Sequence, residues 1–145
     1  MHSDAVIEGR SEERPVVAHS VEKWLPLTMT WVYNQIKYAD KFSSIVFTES
    51  VENLDQFPWQ RVYADGGRNN RFVRRVMRRF GLTPRYVLFD QAIKEYQPHI
   101  LHSHFGDLGW VNIPLARKNR LKHVVTFYGY DVNMLPTQEP VWRKR

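Results

Sequence analysis

The chain has 145 residues, 43% hydrophobic and 25% charged, which is typical of a globular protein and excludes a disordered or fibrous one. No stretch is apolar for long enough to span a bilayer, and the absence of cysteine excludes disulfides and thiolate chemistry. We expect one domain with a sizeable core, because the chain is too short for two.

The net charge of +6 is concentrated in one segment. Seven arginines and no acidic residue lie between Gly66 and Phe89, so the rest of the chain is nearly neutral. Apolar residues from Phe72 to Phe80 recur along one side of a predicted helix, with arginines on its flanks and opposite face. Such a face is most often simply solvated, and contact with anionic lipid headgroups is the next interpretation. The candidate membrane contacts are Arg71, Arg74, Arg75, Arg78 and Arg79. Nucleic acid is not an expected partner, because no aromatic residues alternate with these arginines on the exposed face.

The first half of the chain predicts alternating strands and helices. Residues 1–14 are polar without periodicity and predict a flexible tail, which lacks the apolar stretch of a secretory signal. A buried strand is expected from Pro15 to His19, and apolar residues at helical spacing predict a helix over residues 28–38. β-Branched and aromatic content predicts a second strand over residues 44–48 and a weaker third over 61–64.

The second half continues this alternation. A helix over residues 70–80 ends at Gly81, and Thr83 with Pro84 begins another that Pro98 ends. Residues 100–104 and 123–127 predict two further strands, joined by a helix that ends near residue 118. The order predicts an α/β fold, a Rossmann-like parallel sheet with helices on both faces. Residues 137–145 start a helix without a cap, so we expect the domain of residues 15–145 to be truncated at its C-terminal end.

A polar turn follows each of the last two strands, at residues 105–109 and 128–131. If these strands are parallel neighbours joined by a right-handed crossover, both turns lie on the edge where open α/β sheets bind ligands. Asp107 is predicted to be the N-cap of the following helix, and its charge favours a hydroxyl-rich ligand over a phosphate. Gly129 permits a backbone conformation closed to other residues, and Asp131 either bonds a ligand hydroxyl or caps the next helix.

A metal site is a less favoured alternative at the same turn. His102, His104 and Asp107 carry imidazole and carboxylate groups that suit zinc or manganese. A single His-x-His pair is common by chance, so no metal and no cofactor is expected. The chain also lacks the glycine-rich signatures of dinucleotide and P-loop phosphate sites.

Three segments together carry a family resemblance. Residues 98–106 (PHILHSHFG), 114–118 (PLARK) and 124–131 (VVTFYGYD) resemble the N-terminal domain of retaining glycosyltransferases of family 4. Those enzymes have the GT-B architecture, in which two Rossmann-like domains face each other across a cleft. The resemblance is weaker over residues 15–97, where it rests on the order of elements and on residues 28–36 (TMTWVYNQI).

The resemblance implies a cytoplasmic enzyme, generally without a bound metal, that transfers a sugar with retention from a nucleotide-sugar to a glycan or lipid-linked acceptor. Lipid contact through the arginine helix would place it on the inner face of the membrane. The N-terminal domain would hold the acceptor, while a second domain, absent from this chain, would bind the donor nucleotide. We therefore expect the chain alone to be inactive. The implied catalytic residues are His104 and Asp131, and the implied substrate-binding residues include Gly106, Asp107, Tyr128 and Gly129.

Two departures from the family pattern affect the site. Tyr128 stands where the family usually has histidine, and its reference pKa near 10 means that it cannot be assumed to act as a base. Residues 22–27 replace a glycine-rich loop, so acceptor selection is expected to rest on Lys23 and Trp24. The alternative function is a non-catalytic Rossmann-like binding or interaction module.

Overall fold

The computed structural model describes residues 14–64 and 87–144. Five of its strands form one parallel sheet in the order β5-β3-β1-β6-β7, and the two-residue strands β2 and β4 pair separately. The strands are β1 (Val16–Ser20), β2 (Lys23–Trp24), β3 (Ser43–Thr48), β4 (Ser50–Val51), β5 (Val62–Ala64), β6 (Ile100–His104) and β7 (Lys122–Thr126). The helices are α1 (Thr30–Lys37), α2 (Val87–Tyr96), α3 (Gly106–Asn119) and α4 (Leu135–Gln138). The predicted α/β fold with a Rossmann-like parallel sheet is therefore confirmed.

The strand order places a switch in direction between β1 and β6. From β1 the chain adds β3 and then β5 on one side, and β6 then returns to the other side of β1 with β7 beyond it. Strands β1 and β3 are almost completely buried, as expected for apolar strands in the middle of a parallel sheet. Ligands of open α/β sheets bind beyond the carboxyl ends of the strands at such a switch.

Helices cover both faces of the sheet, each over its own apolar core. Helix α1 contributes Val32 and Ile36 to a core that also contains Val46 of β3. Helix α2 contributes Phe89 and Ile93 to the core on the other face, and α3 contributes Ala116 to the same core. The remaining buried members of this core are Ala18, Ile45, Phe47, Ala92 and Leu101. The predicted placement of helices on both faces is confirmed.

Two local predictions need correction. Helix α3 begins at Gly106, directly after Phe105, whose φ of 80° turns the chain out of β6. Asp107 is consequently the second helical residue and not the N-cap, so that prediction is wrong. The prediction of a continuous helix from residue 137 is also wrong. Helix α4 ends at Gln138, Glu139 is extended, and a 3-10 helix occupies Pro140–Lys144. The residue before a proline is sterically disfavoured in helical conformation, which explains this break.

Several predictions fall outside the described residues. These are the tail up to residue 13, the arginine helix of residues 70–80 with its candidate membrane contacts Arg71, Arg74, Arg75, Arg78 and Arg79, and the helix start at Thr83. Arg14, the last residue of the predicted tail, donates from its guanidinium to the Asp40 carbonyl at 2.9 Å. In the ranges that the structure describes, no helix combines the length and the apolar character required to cross a membrane.

Candidate functional site

The two predicted polar turns meet at the carboxyl ends of β6 and β7, which pair in parallel. The Asp131 carboxylate joins them. It accepts the backbone N–H of Gly106 at 2.5 Å and that of Tyr128 at 2.6 Å. Asp131 is buried, and hydrogen bonds from N–H groups to a buried carboxylate are among the stronger ones in proteins. Asp131 therefore holds the turn after β6 and the turn after β7 in one fixed arrangement.

Three histidines lie together on one face of the sheet beside these turns. His19 of β1 stands directly opposite His102 of β6 in the parallel register, and His104 follows His102 by two residues. Side chains two residues apart on a strand point to the same face, so all three rings share it. Their centroids are 5.2 Å apart for His19 and His102, 5.5 Å for His19 and His104, and 4.3 Å for His102 and His104. We call these three residues the histidine cluster.

Hydrogen bonds connect the histidine cluster to both turns. His19 Nδ1 lies 3.2 Å from His104 Nε2, and His104 Nδ1 lies 2.9 Å from the Tyr128 hydroxyl. His102 Nε2 lies 2.7 Å from the Thr126 hydroxyl. His104 is completely buried and both of its ring nitrogens are engaged, so a ligand at the surface contacts Tyr128 rather than His104. This arrangement changes the role expected for His104 from a group that touches substrate to one that positions Tyr128.

The protonation states follow from burial. Burial, together with a neighbouring histidine, lowers the pKa of His19 to about 3 and that of His104 to about 2. Both are therefore neutral imidazoles at physiological pH. Burial raises the pKa of Tyr128 to about 12, and the Asp131 charge acts in the same direction. Tyr128 keeps its proton near neutral pH, so it offers a ligand a hydroxyl group and does not act as a base.

Aromatic rings form one wall of the site. The Trp31 ring on α1 lies 4.2 Å from the Tyr128 ring, and the Phe105 ring lies 4.7 Å from it. All three side chains are only partly buried, so part of each ring remains accessible. The wall offers apolar faces beside the Tyr128 hydroxyl, a combination typical of sites for small polar ligands.

A cavity of about 330 Å³ adjoins Asp131 on the other side of the sheet edge. It lies between α3, β7 and the C-terminal segment, and Gly106, Asp107, Trp110, Phe127 and Asp131 are among its lining residues. Burial raises the pKa of the Asp107 carboxyl here. A larger cavity of about 1170 Å³ lies at the amino ends of the strands, next to Val16, Ser43 and His99. We favour the carboxyl edge, because that is where open α/β sheets bind ligands.

The two glycines of the site, Gly106 and Gly129, differ in whether the surrounding structure leaves room for a side chain. A Cβ placed on Gly106 would lie 2.5 Å from a ring carbon of Phe127 and 3.3 Å from a carboxylate oxygen of Asp131. Gly106 therefore permits the close approach of the two turns. Gly129 has φ −61°, an ordinary helical value, and a Cβ there would meet only Asn133, at 3.9 Å. The prediction that Gly129 adopts a conformation closed to other residues is wrong.

The two candidates from residues 22–27 form the short strand β2. Trp24 is completely buried in the core beneath α1, and its indole N–H donates to the Phe57 carbonyl at 3.2 Å. It has no surface to offer a ligand, so its predicted contact with an acceptor is wrong. Lys23 is exposed and forms an ion pair of 3.2 Å with Glu52. Its predicted contact with an acceptor stays a prediction.

Sequence reasoning missed two members of the site. The sequence predicts His19 only as the end of a buried strand, and Trp31 only as part of the helix over residues 28–38. Neither carries a local signal, because each joins the site through a strand or helix far away in the chain.

Comparisons with known proteins add no family assignment. No protein-family model matches the chain, and neither a curated protein sequence nor a solved structure matches it at a significant level.

Proposed function

We propose that this chain is the acceptor-side domain of a retaining glycosyltransferase, the N-terminal half of a GT-B architecture. The enzyme would transfer a sugar from a nucleotide-sugar to a glycan or lipid-linked acceptor at the cytoplasmic face of the membrane. One observation carries the proposal: Asp131 joins the turns after β6 and β7 into a single ligand edge. The resemblance of residues 98–131 to family 4 enzymes supports the same function.

In the proposed mechanism this domain contributes position rather than proton transfer. The acceptor sugar lies against the Trp31 and Phe105 rings, and the protonated Tyr128 hydroxyl bonds one of its hydroxyl groups. His104 holds the Tyr128 hydroxyl from behind at 2.9 Å. A fixed acceptor reacts faster, because the entropy of bringing the two substrates together is lost on binding and not in the transition state.

The charge of the reaction develops on the departing nucleotide diphosphate, which the second domain binds in this proposal. Stabilisation of that charge by oriented donors would supply most of the catalysis. The proton of the acceptor hydroxyl must pass to a group other than Tyr128, because burial raises the pKa of Tyr128 to about 12. His104 and Asp131 are positioning residues in this mechanism.

Transfer assays with the full-length protein containing this chain test the proposal. Radiolabelled UDP- and GDP-sugars are incubated with the protein and a lipid-linked glycan extract, and label in the acceptor fraction is measured. We expect Tyr128→Phe to lower kcat/KM for the acceptor at least tenfold. The acceptor loses its hydrogen bond to the Tyr128 hydroxyl, and the buried His104 loses its own bond to the same group. Tyr38→Phe, which changes a tyrosine that is 71% exposed directly after α1, is the matched control and should keep full activity.

A double-variant comparison tests the role of His104. If His104 acts only through the Tyr128 hydroxyl, combining His104→Ala with Tyr128→Phe lowers kcat/KM no further than Tyr128→Phe alone. Transfer from none of the nucleotide-sugars, or equal activity of Tyr128→Phe and Tyr38→Phe, would contradict the proposal. Glycan binding without any transfer would identify a non-catalytic binding module instead.

A further inference from the structure

The histidine cluster lies at the switch in strand order, between the carboxyl ends of β1 and β6. His104 is the last residue of β6, and His19 is the last but one of β1. Each histidine offers one ring nitrogen, and these three nitrogens all lie within 4.8 Å of one another. We propose that His19, His102 and His104 bind one divalent transition-metal ion, with Zn²⁺ as the preferred ion.

The spacing of the nitrogens supports a metal site. Two imidazole nitrogens that bind the same tetrahedral Zn²⁺ at about 2.0–2.1 Å are about 3.4 Å apart. His19 Nδ1 and His104 Nε2 are 3.2 Å apart, close to this value. The third nitrogen, on His102, lies within 4.8 Å of these two.

The second ring nitrogens are already arranged as they are in metal sites. A histidine ligand usually donates its other N–H to a nearby acceptor, which fixes the tautomer and the ring orientation. His102 Nε2 has the Thr126 hydroxyl at 2.7 Å, and His104 Nδ1 has the Tyr128 hydroxyl at 2.9 Å. If His19 carries its proton on Nε2, one lone pair from each ring is free for the metal.

The donor set indicates the class of ion. Three neutral imidazoles without a thiolate suit Zn²⁺, Cu²⁺ or Ni²⁺ better than Mg²⁺ or Ca²⁺, which prefer oxygen ligands. Both oxygens of Asp131 are used by backbone N–H groups, so a fourth position would be open to water or another small ligand. The inference departs from the expectation that the chain binds no metal, and it does not depend on the proposed transferase activity.

Metal titration of the tag-free 145-residue chain tests the inference. The protein is first dialysed against EDTA and then titrated with ZnCl₂ by calorimetry at pH 7.5, and Co²⁺ is used separately for its visible absorption. We expect one Zn²⁺ per chain and the intense visible bands of tetrahedral Co²⁺. His19→Ala, His102→Ala and His104→Ala should each weaken Zn²⁺ binding at least tenfold, because each removes a ligand.

His99→Ala is the matched control, because His99 is an exposed histidine next to β6 and outside the cluster. It should bind Zn²⁺ like the natural chain. Circular dichroism checks that each variant is folded. His102 is the least buried of the three, so His102→Ala and His102→Gln decide the outcome if the other two variants do not fold. A natural chain that binds no Zn²⁺, or affinity unchanged in the His102 variants, would overturn the inference.

Discussion

Replacement of Asp131 by alanine is the most direct test of how the site is held together. The carboxylate accepts two backbone N–H groups, from Gly106 and Tyr128, at 2.5 and 2.6 Å. Asp131→Ala removes both hydrogen bonds and leaves two partly buried donors without their acceptor. Asp131→Asn keeps one acceptor oxygen but turns an amide N–H₂ toward the other donor.

The expected loss of stability follows from the energies of such bonds. A hydrogen bond to a charged group contributes about 1.5–3 kcal/mol, which gives an upper bound of about 6 kcal/mol for two. Gly106 and Tyr128 are only partly buried, so water can replace part of the lost bonding. We therefore expect Asp131→Ala to lower the free energy of unfolding by about 3 kcal/mol, and Asp131→Asn by about half as much.

Equilibrium unfolding in urea, followed by tryptophan fluorescence and far-UV circular dichroism, measures this loss. With a slope of about 1.5 kcal/mol per M urea, a loss of 3 kcal/mol moves the midpoint by about 2 M. Asp55→Ala is the control, because Asp55 is exposed, and a surface change of this kind typically alters stability by less than about 0.5 kcal/mol. If Asp131→Ala unfolds at the same urea concentration as Asp55→Ala, the carboxylate does not join the two turns.

Two further predictions concern the glycines and the arginine segment. A Cβ on Gly109 would lie 2.7 and 2.8 Å from both methyl groups of Val125, so we expect Gly109→Ala to destabilise the domain by about 1–3 kcal/mol. Gly129→Ala should be neutral or slightly stabilising in the same urea experiment, and an equal loss in the two variants would contradict the packing of α3 on β7. If the arginine segment binds membranes, the full-length protein should sediment with anionic vesicles at low salt and not with neutral ones. Sedimentation should fall in a variant in which three arginines are replaced by alanine, namely Arg74, Arg75 and Arg78. An unchanged amount in the pellet would show that these positive charges do not contribute to membrane binding.

Much of the fold could be predicted because its signals are local. Short runs that contain apolar residues and are bounded by turn residues predict β3, β6 and β7 to within a residue at each end. The spacing of Val32 and Ile36 marked the buried side of α1, since residues four apart share a helix face. The polar turns after β6 and β7 were likewise visible as breaks in apolar runs.

Local signals were less reliable where a single backbone angle or a neighbouring element decides the outcome. The positive φ of Phe105 starts α3 at Gly106, inside the segment of residues 105–109 that is predicted to be a turn. Trp24 is predicted to contact a ligand because residues 22–27 replace a glycine-rich loop, yet it is completely buried in the core that contains Val32, Ile36 and Phe57. Burial of a large side chain depends on what packs above it, which the neighbouring residues in sequence do not reveal.

The sequence by itself determined that the chain is an α/β protein and that polar turns follow β6 and β7. Only the tertiary structure decided that His19 joins His102 and His104, because the pairing of β1 with β6 brings together residues more than 80 positions apart. It also decided that Asp131 bonds Gly106 and that His104 lies within hydrogen-bond distance of the Tyr128 hydroxyl. Such contacts depend on strand order and register, which are set by the packing of the whole sheet and not by the residues of any one strand.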